Sequence, residues 1–284
     1  MSTSKDGSTI ASRTSSTVGA TGNRYVLIDQ FISEPLQAQT ITGTFTGQVR
    51  LNVNSTTSTT ALGFVFVRII SNDGTSIVTE VGSATTTPLS TTLSNRTLIS
   101  LNVGTLNITA GQRICVDLGW RRSVGTSTTR TGTASRGSSS GTDLPVDNST
   151  TAVNNPWFQF SQNLVFLPPA NDDCAGAISL TPGASCVNTA GTLNYATPNA
   201  ATPLGCFAAG TYYDVWYKFV ATTSTHIVDL SGLGANFTAP RIQIYQGSCA
   251  ALVSMGCVSG TSLLQTGLTP GNTYYVRIAN FNAD

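Results

Sequence analysis

The sequence predicts an all-β protein: two tandem β-sandwich, jelly-roll-like domains joined by a short Pro-Pro linker, preceded by a disordered or partner-ordered N-terminal arm. Three observations support this fold class. Apolar and polar residues alternate over many short segments, as expected for half-buried strands. Gly, Asn and Asp separate these segments, as they do in turns. Lys and Glu, both good helix formers, occur only twice each among 284 residues.

The predicted organisation is an arm at 1–23, a first module at 24–167 and a second module at 168–284. Met1–Gly22 is polar and lacks the charged-then-apolar pattern of a signal peptide, so we expect it to be disordered or ordered by a partner. The boundary lies at Leu167-Pro168-Pro169-Ala170, because five of the six cysteines follow it. The two modules are therefore expected to be stabilised in different ways.

The first module is expected to contain a series of short strands. Asn72-Asp73-Gly74 supplies a hairpin turn between two of them. The Ser/Thr/Gly/Arg-rich stretch between Trp120 and Asn155 predicts either a long flexible hairpin or a projecting loop that contacts a neighbouring subunit. The predicted strands cover Tyr25–Ile28 with Phe31–Ile32, Thr40–Val53, Leu62–Ile70, Ile77–Val81, Arg96–Val103, Arg113–Leu118 and Trp157–Phe166.

The second module shows the same alternation, and both modules contain a Thr-x-Gly turn before a late strand. These turns are Thr109-Ala110-Gly111 and Thr269-Pro270-Gly271. The first module has a further closing strand after this point, whereas we expect the second to lack its last strand. Because an unpaired apolar edge is avoided, we expect the polypeptide to continue past Asp284, or else a partner to supply the strand. The predicted strands are Asp214–Val220, His226–Leu230, Arg241–Tyr245, Leu263–Leu264 and Tyr274–Ile278.

The cysteines of the second module predict disulfides and an oxidising destination. The local pairs Cys174–Cys186 and Cys249–Cys257 are expected, because short β-loops bring such positions within bridging distance. Buried free thiols are the alternative. The sequence does not assign partners to Cys115 and Cys206. Disulfides without a visible export signal indicate either release by lysis or a signal removed before this numbering begins.

Charge and hydropathy exclude several classes of partner. Only 10% of the residues are charged, against roughly 25% in typical globular proteins, and the net charge is +1. This balance argues against nucleic acid or an anionic membrane surface as a partner. No apolar run approaches the ~18–20 residues of a membrane span. The expected partners are further copies of the chain or other proteins of a particle, together with a cell-surface glycan.

The sequence contains no convincing catalytic motif, and we expect no enzyme activity. Gly137-Ser138-Ser139-Ser140-Gly141 matches a nucleophile pattern, but it lies in a Ser/Gly-rich loop rather than at a strand-turn-helix elbow. The only histidine, His226, alternates with apolar residues in a predicted strand and is interpreted as structural. Eleven of the thirteen acidic residues are Asp, mostly at turns, which disfavours a paired glycosidase site.

The candidate binding residues are one acidic pair and a few aromatic and basic side chains. Asp172 and Asp173 are a weak candidate calcium site, although Asn-Asp-Asp is also ordinary turn chemistry. No other cofactor is expected. Trp157 and Trp216 are expected in the core because of their alternation. The residues expected to contact a ligand such as a sugar are Trp120, Arg121, Arg122, Tyr212 and Tyr213.

Three segments of the second module carry a family resemblance: Asn171–Cys174, Asp214–Phe219 and Leu268–Arg277. In these segments the module resembles a β-sandwich family that is frequent in exported proteins of Bacteroidetes-type bacteria and akin to bacterial pre-peptidase C-terminal domains. The resemblance covers nearly the whole module. It implies a non-catalytic accessory role in adhesion, carbohydrate contact or spacing.

The first module carries a looser resemblance in Ala38–Arg50, Gly141–Pro145 and Asn154–Ser161. In these segments it looks like β-sandwich domains of predicted phage virion and tail-fibre proteins. No biochemical activity follows from this resemblance. It implies a structural protein that is made in the cytoplasm and released by lysis.

Together these observations predict a non-enzymatic structural or adhesion component of a phage or phage-tail-like particle, such as a fibre, spike or capsid-decorating protein, that contacts the host surface. Avidity from many copies would replace a deep binding site. The alternative is a secreted bacterial surface adhesin or an accessory domain of an exported hydrolase. A carbohydrate-active enzyme is a third interpretation, which requires clustered carboxylates in a cleft.

Overall fold

The computed structural model describes residues 11–17, 24–56, 60–122, 129–136, 157–198, 212–234 and 237–281. The predicted all-β class is confirmed, because the regular structure of these residues is strand apart from one 3-10 helix at Cys174–Gly176. The chain divides into two compact units, Met1–Leu167 and Pro168–Asp284. Within the described ranges, no helical segment has the length and apolar character that a membrane crossing requires.

Unit 1 contains two larger sheets. In one, β4 pairs with β11, β12, β7 and β8, and β1 extends the sheet beyond β11. The other has the order β2-β10-β5-β6, and β3 pairs with β9 separately. The strands are β1 (Ala11–Thr17), β2 (Arg24–Ile32), β3 (Gln39–Ile41), β4 (Thr44–Val53), β5 (Ala61–Ile70), β6 (Ile77–Pro88), β7 (Ser94–Thr97), β8 (Leu101–Asn102), β9 (Leu106–Ile108), β10 (Arg113–Arg122), β11 (Arg130–Arg136) and β12 (Trp157–Phe160).

The core of unit 1 is made by the facing sides of the two sheets. Strand β4 contributes Phe45, Val49 and Leu51, whereas β10 contributes Ile114 and Trp120, and all five are fully buried. Successive strand residues point to opposite faces, so this packing uses only every second residue of each strand. The intervening residues of the β2-β10-β5-β6 sheet form its outer face.

Several sequence expectations for unit 1 need correction. The predicted strand Thr40–Val53 is two strands, because Gly43 lies between them at a φ of 90°, a backbone conformation that glycine tolerates. The stretch expected to be a long hairpin or projecting loop contains β11. The arm expected to be disordered or partner-ordered contains β1, which pairs antiparallel with β11 from Ala11↔Arg136 to Thr17↔Arg130.

Unit 2 contains a five-stranded sheet and a two-stranded ribbon. The sheet has the order β13-β14-β19-β16-β17, and the ribbon pairs β15 with β18. Val215, Ile242 and Val276 on one face of the sheet pack with Val228 and Leu263 on the inner face of the ribbon. The strands are β13 (Ile178–Ser179), β14 (Tyr212–Val220), β15 (Thr225–Asp229), β16 (Pro240–Ser248), β17 (Ala251–Ser259), β18 (Ser262–Thr266) and β19 (Thr273–Phe281).

The two Thr-x-Gly turns occupy equivalent places. Gln112 donates its backbone N–H to Thr109, and Asn272 does the same to Thr269, both at 3.1 Å. Each turn leads into a central strand, β10 between β2 and β5, and β19 between β14 and β16. Because β19 is paired on both sides, the reason for expecting a further strand beside it does not hold. The closing strand of unit 1, β12, pairs with β4 in the opposite sheet. A further strand in unit 2 stays a prediction.

Candidate functional site

The disulfide pairing differs from the local pairs expected from the sequence. Cys174 bonds to Cys249, 75 residues away, with a Cα–Cα distance of 5.6 Å. Cys257 is also disulfide-bonded. Cys249 lies at the turn between β16 and β17, whereas Cys257 lies far along β17 opposite Gln243. Since an extended strand advances about 3.4 Å per residue, these two cysteines are too far apart to bond. Cys186 is exposed and free, so the Cys174–Cys186 pair is also wrong.

The segment Asn171–Cys174 fastens the start of unit 2 to its sheet. Asn171 exchanges backbone and side-chain hydrogen bonds with the backbone of Trp216 at 2.8 and 2.9 Å. Cys174 then contributes the disulfide and packs with Trp216 and Tyr245. This motif closes the face of the sheet that lies opposite the ribbon.

The candidate calcium pair separates into two different environments. Asp172 is buried, and its two carboxylate oxygens accept hydrogen bonds from the backbone N–H and the hydroxyl of Thr197, at 2.6 and 2.5 Å. Asp173 is exposed. Among the described residues no group of three or more His, Cys, Asp or Glu side chains could hold a metal ion. Asp172 therefore joins two loops of unit 2, and calcium binding here stays a prediction.

Most of the expected ligand-contact residues lie inside the protein. Trp120 and Arg122 are fully buried, and Tyr212 is 3% exposed beside Ala279 and Phe281. Tyr213 packs against the core of unit 2. Trp120 points into the core because β10 places every second residue there, and its ring lies against Gly132 of β11. The expectation of surface contact is wrong for Trp120, Arg122 and Tyr212, which are buried. Tyr213 is partly buried and its contact with a ligand stays a prediction, whereas Arg121 reaches the outer face.

The face of the unit 2 sheet opposite the ribbon carries a buried ion pair. Arg277 on β19 donates a hydrogen bond from Nε to Asp214 on β14, and their side chains are 1% and 0% exposed. The guanidinium also lies 5.9 Å from the ring of Trp216. Burial raises the pKa of Tyr245 to about 12, although the charge of Arg277 and its hydrogen bond lower it. All the charges of this cluster are used inside the fold.

The only histidine also has a structural role. His226 Nε2 accepts hydrogen bonds from the backbone N–H groups of Thr222 and Thr223 at 3.0 and 3.3 Å. Its ring packs 5.3 Å from Phe219. The imidazole therefore holds the loop between β14 and β15. The Gly137–Gly141 motif lies outside the described residues.

The outer side of the β15–β18 ribbon, which we call the ribbon face, presents an exposed apolar pair. Ile227 and Leu264 lie directly opposite each other and are 61% and 60% exposed. Thr225 with Thr266, and Asp229 with Ser262, continue the same face on either side. The ribbon face is thus a shallow surface of two aliphatic side chains within hydroxyl and carboxylate groups.

The outer side of the β2-β10-β5-β6 sheet carries a larger aromatic surface. Three side chains form it: Tyr25 on β2, and Phe64 and Phe66 on β5. The ring centroids are 5.3 Å apart for Tyr25–Phe64 and 5.0 Å apart for Phe64–Phe66. The Phe64 ring lies over Gly119 of β10, where an added Cβ would come 2.6 Å from its Cζ atom. We call this surface, with Arg68 and Arg121, the aromatic face.

Sequence reasoning did not find the aromatic face, although a signal for it exists. On β2 both phases are apolar: Val26 and Ile28 pack against the core, whereas Tyr25 and Leu27 are 55% and 52% exposed. A strand that is apolar on both phases is covered on both faces or presents one of them for contact. Alternation by itself indicates only which residues can face the core.

Comparisons with known proteins inform unit 2. A family described as galactose binding domain-like, and named for association with the bacterial secretion system T9SS, matches residues 170–284. This agrees with the resemblance to exported Bacteroidetes-type β-sandwich domains. No curated protein matches the chain. A structure of vicilin from Capsicum annuum aligns with 93% of this chain and 76% of the vicilin chain, at 10% identity and a TM-score of 0.10, which is too low to support an argument.

Proposed function

We propose that this chain is a non-enzymatic binding protein of the bacterial cell surface or secreted fraction, whose second unit contacts carbohydrate. The observation that carries the proposal is the match of residues 170–284 to the galactose-binding-domain-like family with its T9SS association. This favours the alternative of a secreted adhesin or accessory domain over a phage particle. The phage resemblance of the first module has no support among the comparisons and stays a prediction.

The chemistry of unit 2 supports a binding role rather than a catalytic one. Several titratable groups among its described residues are used in structural bonds, namely Asp214 with Arg277, Asp172 with Thr197, and His226 with a backbone loop. Its disulfides suit an oxidising, extracellular setting. The ribbon face is shallow, and shallow contacts of this kind reach useful strength through many copies.

The binding test uses the full chain, biotinylated and displayed as a tetramer. We expect retention on a polymer that carries terminal galactose and less retention on a matched mannose polymer. The double variant I227S/L264S tests the ribbon face, and we expect it to weaken retention at least several-fold without changing the melting temperature by more than a few degrees. Absence of retention on both polymers would overturn the carbohydrate role. Release of reducing sugar from either polymer would overturn the non-enzymatic assignment.

The location test fractionates the organism that encodes the chain. We expect the protein in the cell-surface or culture-medium fraction as individual molecules or small oligomers. Recovery in sedimenting particles with a regular array of copies would overturn this location and support the phage interpretation instead.

A further inference from the structure

The geometry points to a second ligand site on unit 1: the aromatic face binds an oligosaccharide that carries carboxylate groups. This site lies outside residues 170–284, so it goes beyond the proposed role of unit 2. Three features of the face support it, namely its exposed ring, its unpaired cation and its fixed polar groups.

The first feature is an exposed ring on a rigid base. Tyr25 is 55% exposed, and its ring is held by an edge contact with Phe64 and a tilted contact with Phe66 at 5.8 Å. Phe64 itself is only 2% exposed and forms the floor beneath the other two rings. A sugar ring presents C–H groups on its flat side, and these pack on the negative face of an aromatic ring. Tyr25 is oriented before the ligand arrives, which reduces the entropy lost on binding.

The second feature is a cation without an anionic partner. Arg121 lies beside Tyr25 in the antiparallel register, with its guanidinium carbon 6.0 Å from the ring centre. Its Nε is buried and has no hydrogen-bond partner, and the guanidinium forms no ion pair among the described residues. Two other arginines on the outer side of this sheet, Arg68 and Arg113, already have partners within the protein. Arg68 pairs with Asp117 and lies 4.0 Å from Glu80, and Arg113 donates to the backbone carbonyls of Ser33 and Asn72 at 2.9 and 2.8 Å.

Because Arg121 is a cation without a counter-charge among the described residues, we expect the ligand to carry a negative charge. A guanidinium that is partly desolvated and lacks a counter-charge gains most from a carboxylate, which it binds through two parallel hydrogen bonds. The aromatic ring next to it favours a ligand in which the carboxylate adjoins an apolar surface. A uronic or sialic acid has this combination in one residue.

The third feature is a set of polar side chains held by hydrogen bonds. They lie on the same face as Arg121, around Asp117, which is four residues earlier along β10. Asp117 accepts a hydrogen bond from Gln30 Nε2 at 2.7 Å and holds Arg68, whose guanidinium carbon lies 5.4 Å from the ring of Phe66. The side-chain carbonyl of Gln30 has no partner among the described residues and can accept from a sugar hydroxyl. From Arg121 to Asp117 the strand advances about 13 Å, longer than one sugar ring. The open, flat face thus fits a short chain rather than a single sugar.

The test measures binding of the full chain to two matched pairs of probes by titration calorimetry or ligand-observed NMR. One pair is a galacturonic acid trimer and its methyl ester, and the other is sialyllactose and lactose. Each pair differs in carboxylate charge. We expect the acidic member of at least one pair to bind about tenfold more tightly than its neutral member. Equal binding within both pairs, or no binding of either acid, would overturn the proposal.

Variants then locate the site. R121Q and Y25A should each weaken binding of the acidic probe about tenfold, and Y25F should weaken it less because the ring remains. R241Q is the matched control, because Arg241 also lies over an aromatic ring, 5.9 Å from that of Phe281 in unit 2, and its loss changes the net charge equally. Unchanged binding in R121Q, or equal weakening in R241Q, would overturn the proposal.

Two further measurements distinguish the aromatic face from the ribbon face and from a contact between copies of the chain. R121Q should keep its retention on the galactose polymer, so that failure of one proposal leaves the other intact. Sedimentation of the wild-type chain checks whether a second copy covers the aromatic face. Self-association that R121Q or Y25A abolishes, without any acid-dependent binding, would show that the aromatic face binds a second copy of the chain. That result would overturn the proposal.

Discussion

The two units share one kind of central strand but differ in how the outer face of that strand is covered. Each has a central strand entered through a Thr-x-Gly turn, β10 in unit 1 and β19 in unit 2, and each packs apolar side chains on one face of that strand. They differ on the opposite face. In unit 1 that face is partly open and carries the aromatic side chains. In unit 2 it is closed by the Asn171–Cys174 segment, over a buried ion pair.

The ion pairs of the two units differ in the same way as the faces that carry them. In the unit 1 pair Arg68–Asp117 only one partner reaches water: the Arg68 side chain is 23% exposed, whereas the Asp117 side chain is 6% exposed. The unit 2 pair Asp214–Arg277 is almost completely enclosed. A pair that water reaches on one side contributes less to stability than an enclosed pair, because removal of one partner from an enclosed pair leaves an uncompensated charge. The two units should therefore respond very differently to the same kind of substitution.

The largest expected effect is the loss of the enclosed pair. Arg277→Met should reduce the free energy of unfolding of unit 2 by about 3–5 kcal/mol, because Asp214 stays buried without its counter-charge. The matched Arg68→Met in unit 1 should cost less, about 1 kcal/mol, because water reaches Arg68 and Gln30 still donates a hydrogen bond to Asp117. Denaturant unfolding of the full chain measures both losses when hydrogen exchange reports on each unit separately. Equal costs would remove the contrast. The double variant D214L/R277M should recover most of the lost stability.

The next effect concerns the disulfide that closes unit 2. C174S/C249S should lower the unfolding free energy of unit 2 by about 2–4 kcal/mol, because the bond closes a long loop and restricts the unfolded chain. Hydrogen exchange in unit 1 should not change. C186S is the control, since its thiol is free and exposed, and it should leave both units unaltered. A loss of protection in unit 1 would contradict the assignment of this effect to unit 2.

Alkaline pH should affect unit 2 through Tyr245. Its pKa is raised from 10.0 to about 12, so the folded state favours the neutral phenol. The contribution of the neutral Tyr245 phenol to the free energy of unfolding is fully present below about pH 10. It falls by about 2 kcal/mol as the pH rises towards 12. Unfolding midpoints at pH 8, 10 and 11.5 measure this decline. Y245F should show a clearly smaller decline between pH 10 and 11.5, and an unchanged slope would assign the decline to other groups.

The smallest expected difference between the units is in the reactivity of their free thiols, which does not affect stability. Burial raises the pKa of the Cys115 thiol, and the nearby charge of Arg68 lowers it less. Because the thiolate is the reactive form, Cys115 should stay unmodified by iodoacetamide at neutral pH in the native chain. Cys186 should react within the same period. Peptide mass mapping distinguishes the two sites, and labelling of Cys115 before unit 1 unfolds would contradict the enclosed position of this residue.

The candidate sites show how far the sequence could lead. Arg121 was expected to contact a ligand together with Trp120 and Arg122, and alternation along β10 explains why it alone reaches the outer face. The sequence also marked Asn171–Cys174 as important, but the residues that this segment contacts, Trp216 and Cys249, lie 45 and 75 residues further on. Tyr25 and Phe64 were not singled out, because a residue on a strand that is apolar on both phases does not reveal which face water reaches.

Local features of this protein follow from its amino-acid order alone: the all-β class, most of the strands, the turn at Gly74 and the change in cysteine content at Pro168. They depend on the alternation of apolar and polar residues and on the residue types that form turns. Both are properties of a few residues that are close together in the sequence. The partner of Cys174, the enclosure of Arg277 and the neighbours of Tyr25 emerge only in the folded molecule. Each depends on which strands are adjacent and which faces are covered, and sheet order sets both between residues far apart in the chain.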